Sequence, residues 1–216
     1  MRASDVAGSA GKAALRLAGA FVIGAIPMAN IVARRAAGRD LRFTGQGKVS
    51  SSAVYRVAGG PAFAASCTLD VAKGMLAVSL ADRRQPGLVA AAAGLAVAGH
   101  NWSPFLRGAG GRGVLPGLGA LLVTAPAGGA LLVGGLALGW AADNTGLGCF
   151  AAQFLLVPEL AWMKGRDGAA LGSALVVPML VKRVLGDSAP ARSRPVRVYL
   201  TRALYDRDQP ARKTRT

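Results

Sequence analysis

Seven apolar segments follow one another along this chain, several of them near the ~20 residues that a helix needs to cross a bilayer. They run Ala14–Ala33, Pro61–Leu80, Gly87–Gly99, Gly113–Ala125, Pro126–Ala142, Gly146–Met163 and Gly168–Leu185. A membrane β-barrel needs alternating apolar and polar residues, and none of these segments alternates. Charged residues make up only 17% of the chain, against about 25% in soluble domains. The expected fold class is therefore all-α: an integral membrane helical bundle with about seven transmembrane helices. Residues 1–188 form the membrane domain and residues 189–216 a basic tail.

The stretch Gly113–Ala142 poses the one topological question. As a single helix its roughly 30 residues would extend about 45 Å, beyond a hydrocarbon core of about 30 Å. Pro126 and Gly128-Gly129 favour a tight turn between two short helices. Charge agrees with the split. It puts Arg34, Arg35, Arg39, Arg42, Lys48, Arg56, Arg107, Arg112, Lys182, Arg183 and the tail on one side, and Arg2, Lys12, Arg16, Arg83, Arg84, Lys164 and Arg166 on the other. Cations collect on the cytoplasmic side of membrane proteins, so the N-terminus is expected outside and the C-terminus in the cytoplasm. The expected location is the cell inner (plasma) membrane, crossed several times. The first apolar run continues past Pro27 to Ala33 without a clear cleavage pattern, which favours a retained helix over a signal peptide.

A net charge of +16 and a pI near 11.4 would suggest nucleic acid in a soluble protein. Here the aromatic residues sit within apolar spans rather than among the arginines, so no nucleic-acid partner is expected, and anionic membrane lipids are. Cys67 and Cys149 lie within apolar segments and read as small core residues. No metal or cofactor motif is present in the sequence. The tail holds Arg192, Arg194, Arg197, Arg202, Arg207, Arg212, Lys213 and Arg215; it is either a solvated lipid-binding segment or contains a short interfacial helix over Val196–Tyr205.

Glycine and cationic residues gather in two polar stretches that this topology places on one membrane face. The first contains Gly45, Gly47 and Lys48, then Ser50 and Ser52, with Arg56 beyond. The second contains Gly110-Gly111-Arg112-Gly113. Glycine lets backbone N–H groups turn toward an anion, and a neighbouring cation complements its charge, so phosphate is the expected ligand. Asp70 and Lys73 stand three residues apart within the second apolar span, on one helical face. Ionisable groups at that depth pair with each other or line a functional cavity, and the sequence leaves both readings open. His100, the only histidine, ends the third span beside the Gly-Arg stretch, where an imidazole moves a proton, bonds a phosphate oxygen or caps a helix.

Taken in order, these elements resemble the bacterial acyl-phosphate:glycerol-3-phosphate acyltransferases of the PlsY type. The resemblance is carried by Gly24-Ala25-Ile26-Pro27, Gly38-Arg39-Asp40-Leu41-Arg42, Leu69-Asp70-Val71-Ala72-Lys73-Gly74, Gly99-His100 with Pro104-Phe105, and Gly110-Gly111-Arg112-Gly113-Val114. It spans about Gly24 to Gly186. It implies a seven-helix fold and transfer of a fatty acyl group from acyl phosphate to glycerol 3-phosphate, giving lysophosphatidic acid in phospholipid biosynthesis. Several positions depart from the family pattern. Gln46 replaces a serine, Lys48 and Ala53 replace asparagines, and Arg112 replaces a lysine. Val177, Leu180 and Ser188 stand at a histidine, an asparagine and a glutamate of the last motif, while Arg183 and Gly186 are retained.

Two readings follow. In the first, the chain is an acyltransferase in which His100, Lys73 and Arg112 serve catalysis. Gly45, Gly47, Lys48, Ser50, Ser52, Arg56, Asp70, Gly110, Gly111, Gly113 and Arg183 bind substrate. In the second, it is a non-catalytic paralogue that binds lipid or phosphate and regulates or assists lipid metabolism. A small transporter has no support, because no inverted repeat is evident.

Overall fold

The structure, a computed structural model, describes residues 3–45, 47–186 and 196–206. Among these residues every regular element is helical: α1 (Ala3–Ala25), α2 (Met28–Ala37), α3 (Ser51–Ser79), α4 (Pro86–Asn101), α5 (Val114–Thr124), α6 (Pro126–Ala141), α7 (Thr145–Leu185) and α8 (Val196–Tyr205). The predicted spans from residue 87 onward correspond closely, α1 and α3 start earlier than Ala14 and Pro61, and the first span needs a further correction. The first does not run unbroken through Pro27: α1 ends at Ala25 and α2 restarts at Met28, because proline removes a backbone donor and disfavours helix in the residue before it.

Two of the helices change direction at glycine. Gly59 has φ 77° and ψ −173°, which folds residues 51–58 back so that Ser51 Oγ lies 2.9 Å from Ser66 Oγ. Gly165 has φ 58° and ψ −137°, which turns α7 into an antiparallel pair, 145–164 and 166–185. The question of residues 113–142 is settled in favour of two helices: Ala125 (φ −156°, ψ 77°) breaks the run, and Gly128 and Gly129 lie against Leu121 and Leu118 of the returning chain. α5, with 11 residues, is only about 16 Å long.

Connections alternate between the two ends of the bundle. The segments 38–50 and 102–113, the turn 142–144 and α8 share one end, joined by Lys48–Asp206, Arg112–Asp206 and Arg183–Gly146 hydrogen bonds or ion pairs. The turns at Ala125 and Gly165 share the other, where Lys164 Nζ donates to the Thr124 carbonyl (2.6 Å). Small residues bring the helices together, as in membrane bundles that lack a water-driven force between helices. Gly24 and Gly99 let α1 meet α4 backbone to backbone, and Gly74 and Gly119 do the same for α3 and α5. A core of Val97, Leu121, Leu132, Leu156, Leu160, Leu175 and Met179 fills the space among α4 to α7.

Two glycines of contrasting surroundings test this account. A Cβ at Gly119 would collide with the Val71 backbone, whereas one at Gly134 meets nothing within 4 Å. Gly119→Val is expected to cost about 1–3 kcal/mol or more through overpacking, read as a lower thermal unfolding midpoint in detergent. Gly134→Ala should leave the midpoint unchanged or slightly raised, since alanine is the better helix former.

Candidate anion-binding site

A buried polar cluster anchors the site. Lys73 and Asp70, 3% and 1% exposed, project from α3 into the bundle. Lys73 Nζ lies 2.8 Å from each of three atoms: Asp70 Oδ1, the Ile26 carbonyl oxygen and His100 Nδ1. An ammonium has three donors and no lone pair: two meet the Ile26 carbonyl and His100 Nδ1 as hydrogen bonds, and Asp70 Oδ1 faces the group as an ion pair. It follows that His100 Nδ1 accepts and its ring hydrogen sits on Nε2. The cluster joins the end of α1, the middle of α3 and the end of α4 at one point. Neighbouring polar groups brace it: Ser103 Oγ donates to the Ala25 carbonyl (2.6 Å) and Asn101 Nδ2 to the Pro178 carbonyl (2.8 Å).

His100 Nε2 faces the glycine-rich stretch that follows α4. A Cβ at Gly111 would meet Nε2, and one at Gly110 would meet the His100 and Asn101 carbonyls, so only glycine lets this backbone lie against the imidazole. The Gly111 N–H donates to the His100 carbonyl (3.2 Å). Gly113, with φ +75°, then turns the chain into α5. A small crevice opens between this backbone and the other stretch, lined by Pro27, Ala29, Val49, His100, Gly110 and Gly111. The two glycine-rich stretches of the sequence thus meet at one place.

The approach to Val49 is shaped by local hydrogen bonds. Asp40 caps a 3₁₀ turn over Leu41–Phe43, accepting from the Arg42 N–H (3.0 Å) and pairing with the Arg42 guanidinium (2.8 Å) and Arg34 (3.3 Å). The Arg42 hydrogen bond is the main cause holding its carboxyl at about 2, below the usual 3.8. Asn30 Oδ1 accepts from the buried Leu41 N–H (2.8 Å). Gly45 and Gly47 take positive φ (58° and 69°), and Ser50 Oγ caps α3 by accepting from the Ala53 N–H (3.3 Å).

At the mouth of the site stand three cations, each facing the end of α8. Arg112 Nε donates to Asp206 Oδ1 (2.8 Å), and Lys48 Nζ donates to the Asp206 carbonyl (2.6 Å) and lies 3.7 Å from Oδ1. Arg183 reaches the carbonyls of Ala203 (2.6 Å), Leu204 (3.1 Å) and Arg202 (3.3 Å), and that of Gly146 (2.5 Å). The structure therefore unites Lys73, Asp70 and His100 in one cluster and sets Gly110 and Gly111 against it. It gathers Lys48, Arg112 and Arg183 around α8. Ser50 and Ser52 bond each other (3.0 Å) at the start of α3. Arg56 stands apart: it is exposed on α3 and, among the described residues, bonds none of the others. Gln46, Ser188 and most of the tail cations lie outside the described residues. Sequence reasoning missed Asn30, Ser103 and above all Asp206, an acid among basic neighbours whose partners are far away in the chain.

Comparison with known proteins gives the family. A family model described as glycerol-3-phosphate acyltransferase matches residues 14–185. The chain belongs to the glycerol-3-phosphate acyltransferase family. It is 32% identical to glycerol-3-phosphate acyltransferase of Syntrophotalea carbinolica over 77% of this chain and 87% of that protein. It is 42% identical to glycerol-3-phosphate acyltransferase 2 of Moorella thermoacetica, over 59% of this chain and 61% of that protein. Several curated relatives are matched over only about half of their length, such as 47% for glycerol-3-phosphate acyltransferase 4 of Dehalococcoides mccartyi. The fold is shared with the crystal structure of PlsY (YgiH), an integral membrane glycerol 3-phosphate acyltransferase, in its glycerol 3-phosphate form. The TM-score is 0.70 at 20% identity, covering 79% of this chain and 88% of that one. The family fold is thus an integral membrane helical bundle, in keeping with the long apolar helices here.

The depressed Asp40 carboxyl has a consequence for the first loop. A group held at about 2 when folded stabilises the fold fully above its unfolded value of 3.8, and that contribution is lost as pH falls through about 2. Asp40→Asn is therefore expected to lower the unfolding midpoint relative to wild type at pH 7. The difference should close as both proteins are taken toward pH 2, as followed by thermal unfolding in detergent.

Proposed function

We propose that this chain transfers a fatty acyl group from acyl phosphate to glycerol 3-phosphate, releasing inorganic phosphate and lysophosphatidic acid. One observation carries the reading. Lys48 and Arg112, from the two separate glycine-rich stretches, meet a single carboxylate beside the crevice of His100, Gly110 and Gly111. A site that holds one carboxylate oxygen between two cations suits a phosphate, which brings more charge and more acceptor oxygens.

In this reading Lys48 and Arg112 neutralise the phosphates, with Arg56 and Arg183 adding positive charge at the rim. Gly45, Gly47, Gly110, Gly111 and Gly113 supply close backbone, and Ser50 and Ser52 supply hydroxyls. His100 donates its Nε2 hydrogen to a substrate oxygen. Lys73 is buried against Asp70, the Ile26 carbonyl and His100, and acts through His100 as a positioning residue together with Asp70. The glycerol 1-hydroxyl oxygen attacks the acyl carbon, and the bond from that carbon to the phosphate oxygen breaks. The hydroxyl proton passes to a phosphate oxygen, so no protein base is required. Rate enhancement then comes from positioning and from stabilising developing charge.

The same reading sets the bundle of residues 1–188 across the inner membrane about seven times, with the N-terminus outside. The site end and the basic tail of 189–216 then meet the cytoplasmic leaflet and its anionic lipids. That placement lets the donor keep its acyl chain in lipid while its phosphate reaches the cations. The replacement of two polar family positions by Val177, 56% exposed, and Leu180 favours a second reading, a phosphate-binding paralogue without turnover.

Purified protein in lipid nanodiscs, supplied with acyl phosphate and glycerol 3-phosphate, decides between them. Formation of lysophosphatidic acid is expected, with kcat/KM falling about 10²-fold in Arg112→Ala. Binding of either substrate with no product would select the paralogue.

A further inference from the structure

We propose that α8 is a built-in competitor for the phosphate site: its C-terminal end, with the Asp206 carboxylate, occupies the cations that a phosphate ligand must displace it from. The inference rests on the anion-binding role proposed above for Lys48 and Arg112. It adds that α8 and a phosphate ligand compete for the same cations.

Three features support it. First, the contact is built from acceptors that mimic a phosphate. The last-turn carbonyls of a helix carry about half a negative charge, and Arg183 takes three of them, those of Arg202, Ala203 and Leu204. Asp206 adds a full charge between Arg112 (2.8 Å) and Lys48 (3.7 Å). Its φ of 52° is a left-handed conformation that aspartate tolerates better than most residues, and it ends the helix there. Second, α8 is held by polar contacts rather than by apolar burial. Thr201 and Arg202 face inward (8% and 2% exposed), while Leu200 and Tyr205 face outward (59% and 39%). Arg202 donates to the Leu185 carbonyl (2.5 Å), completing a docking surface of charges and carbonyls. Such contacts are weakened by a competing anion, as a packed apolar face would not be. Third, α8 lies beyond residues 14–185, the part of the chain that matches the family. Displaced, the helix would offer Leu200, Tyr205 and its arginines to a membrane surface, the arrangement of an interfacial helix.

The ligand class is a phosphate monoester or inorganic phosphate, since both offer several oxygens and up to two charges to cations that now share one carboxylate and some carbonyls. Two full-length variants separate charge from displacement. Asp206→Asn removes the carboxylate. Ala203→Pro keeps it but interrupts α8, because proline clashes within a helix and lacks an N–H. Both are titrated in nanodiscs with inorganic phosphate and, separately, with glycerol 3-phosphate. Hydrogen exchange of the α8 amides is followed in wild type with and without each ligand. The expected result is affinity raised at least about fivefold in both variants, and faster α8 exchange when wild type binds phosphate. Unchanged or weaker affinity in either variant overturns the proposal, as does α8 exchange that phosphate leaves unaltered. Should no variant form lysophosphatidic acid while the phosphate response is as expected, acyl transfer fails as the function and the competition stands.

Discussion

The buried ammonium of Lys73 is the interaction on which the site end of this bundle depends. A charge placed among apolar helices is costly unless each of its donors is met. Here the charge is ion-paired with Asp70 on the same helix and hydrogen-bonded to the Ile26 carbonyl where α1 ends and to His100 where α4 ends. Because hydrogen bonds have narrow distance limits, this single group sets the relative height of three helices. It also assigns the imidazole hydrogen to Nε2 and aims it at Gly111. The Asp70–Lys73 pair is thus a structural ion pair that also fixes the His100 ring, which the proposed function uses.

Glycine does the complementary work. Gly24, Gly74, Gly99 and Gly119 allow backbones to touch where any side chain would hold them apart, and Gly110 and Gly111 allow a loop to lie on the cluster. The result is a narrow crevice lined by Pro27, Ala29, Val49, His100, Gly110 and Gly111. The family relationship gives that geometry its chemical meaning.

The cations at the mouth show how a site's composition and its state differ. Lys48, Arg112 and Arg183 have the charge to bind phosphate, yet each is engaged by oxygen atoms of α8 or of the residue that ends it. Oxygen acceptors from the protein and from a ligand are interchangeable to a guanidinium, and the stronger field prevails. In the competition proposed above, ligand access is a contest between an intramolecular anion, present at high effective concentration, and a more highly charged one from solution.

Much of the fold was legible because membrane spans announce themselves locally. Length, hydropathy and the turn residues Pro126 and Gly128-Gly129 placed α4 to α7 within a few residues, and spacing alone put Asp70 and Lys73 on one face. Glycine and cation content marked both loops, and the ordered motifs marked the family. What sequence could not express was contact at long range. The His100–Lys73 bond and the fold-back at Gly59 depend on how helices settle against one another. Asp206 is the clearest case. By composition it is a minor acid in a basic tail; in three dimensions it lies between two loops that a linear reading had assigned to phosphate. Sequence determined which groups exist and which helices carry them, since those follow from local chemistry. Only tertiary structure decided which cation meets which oxygen, because electrostatic pairing acts through space and is indifferent to order along the chain.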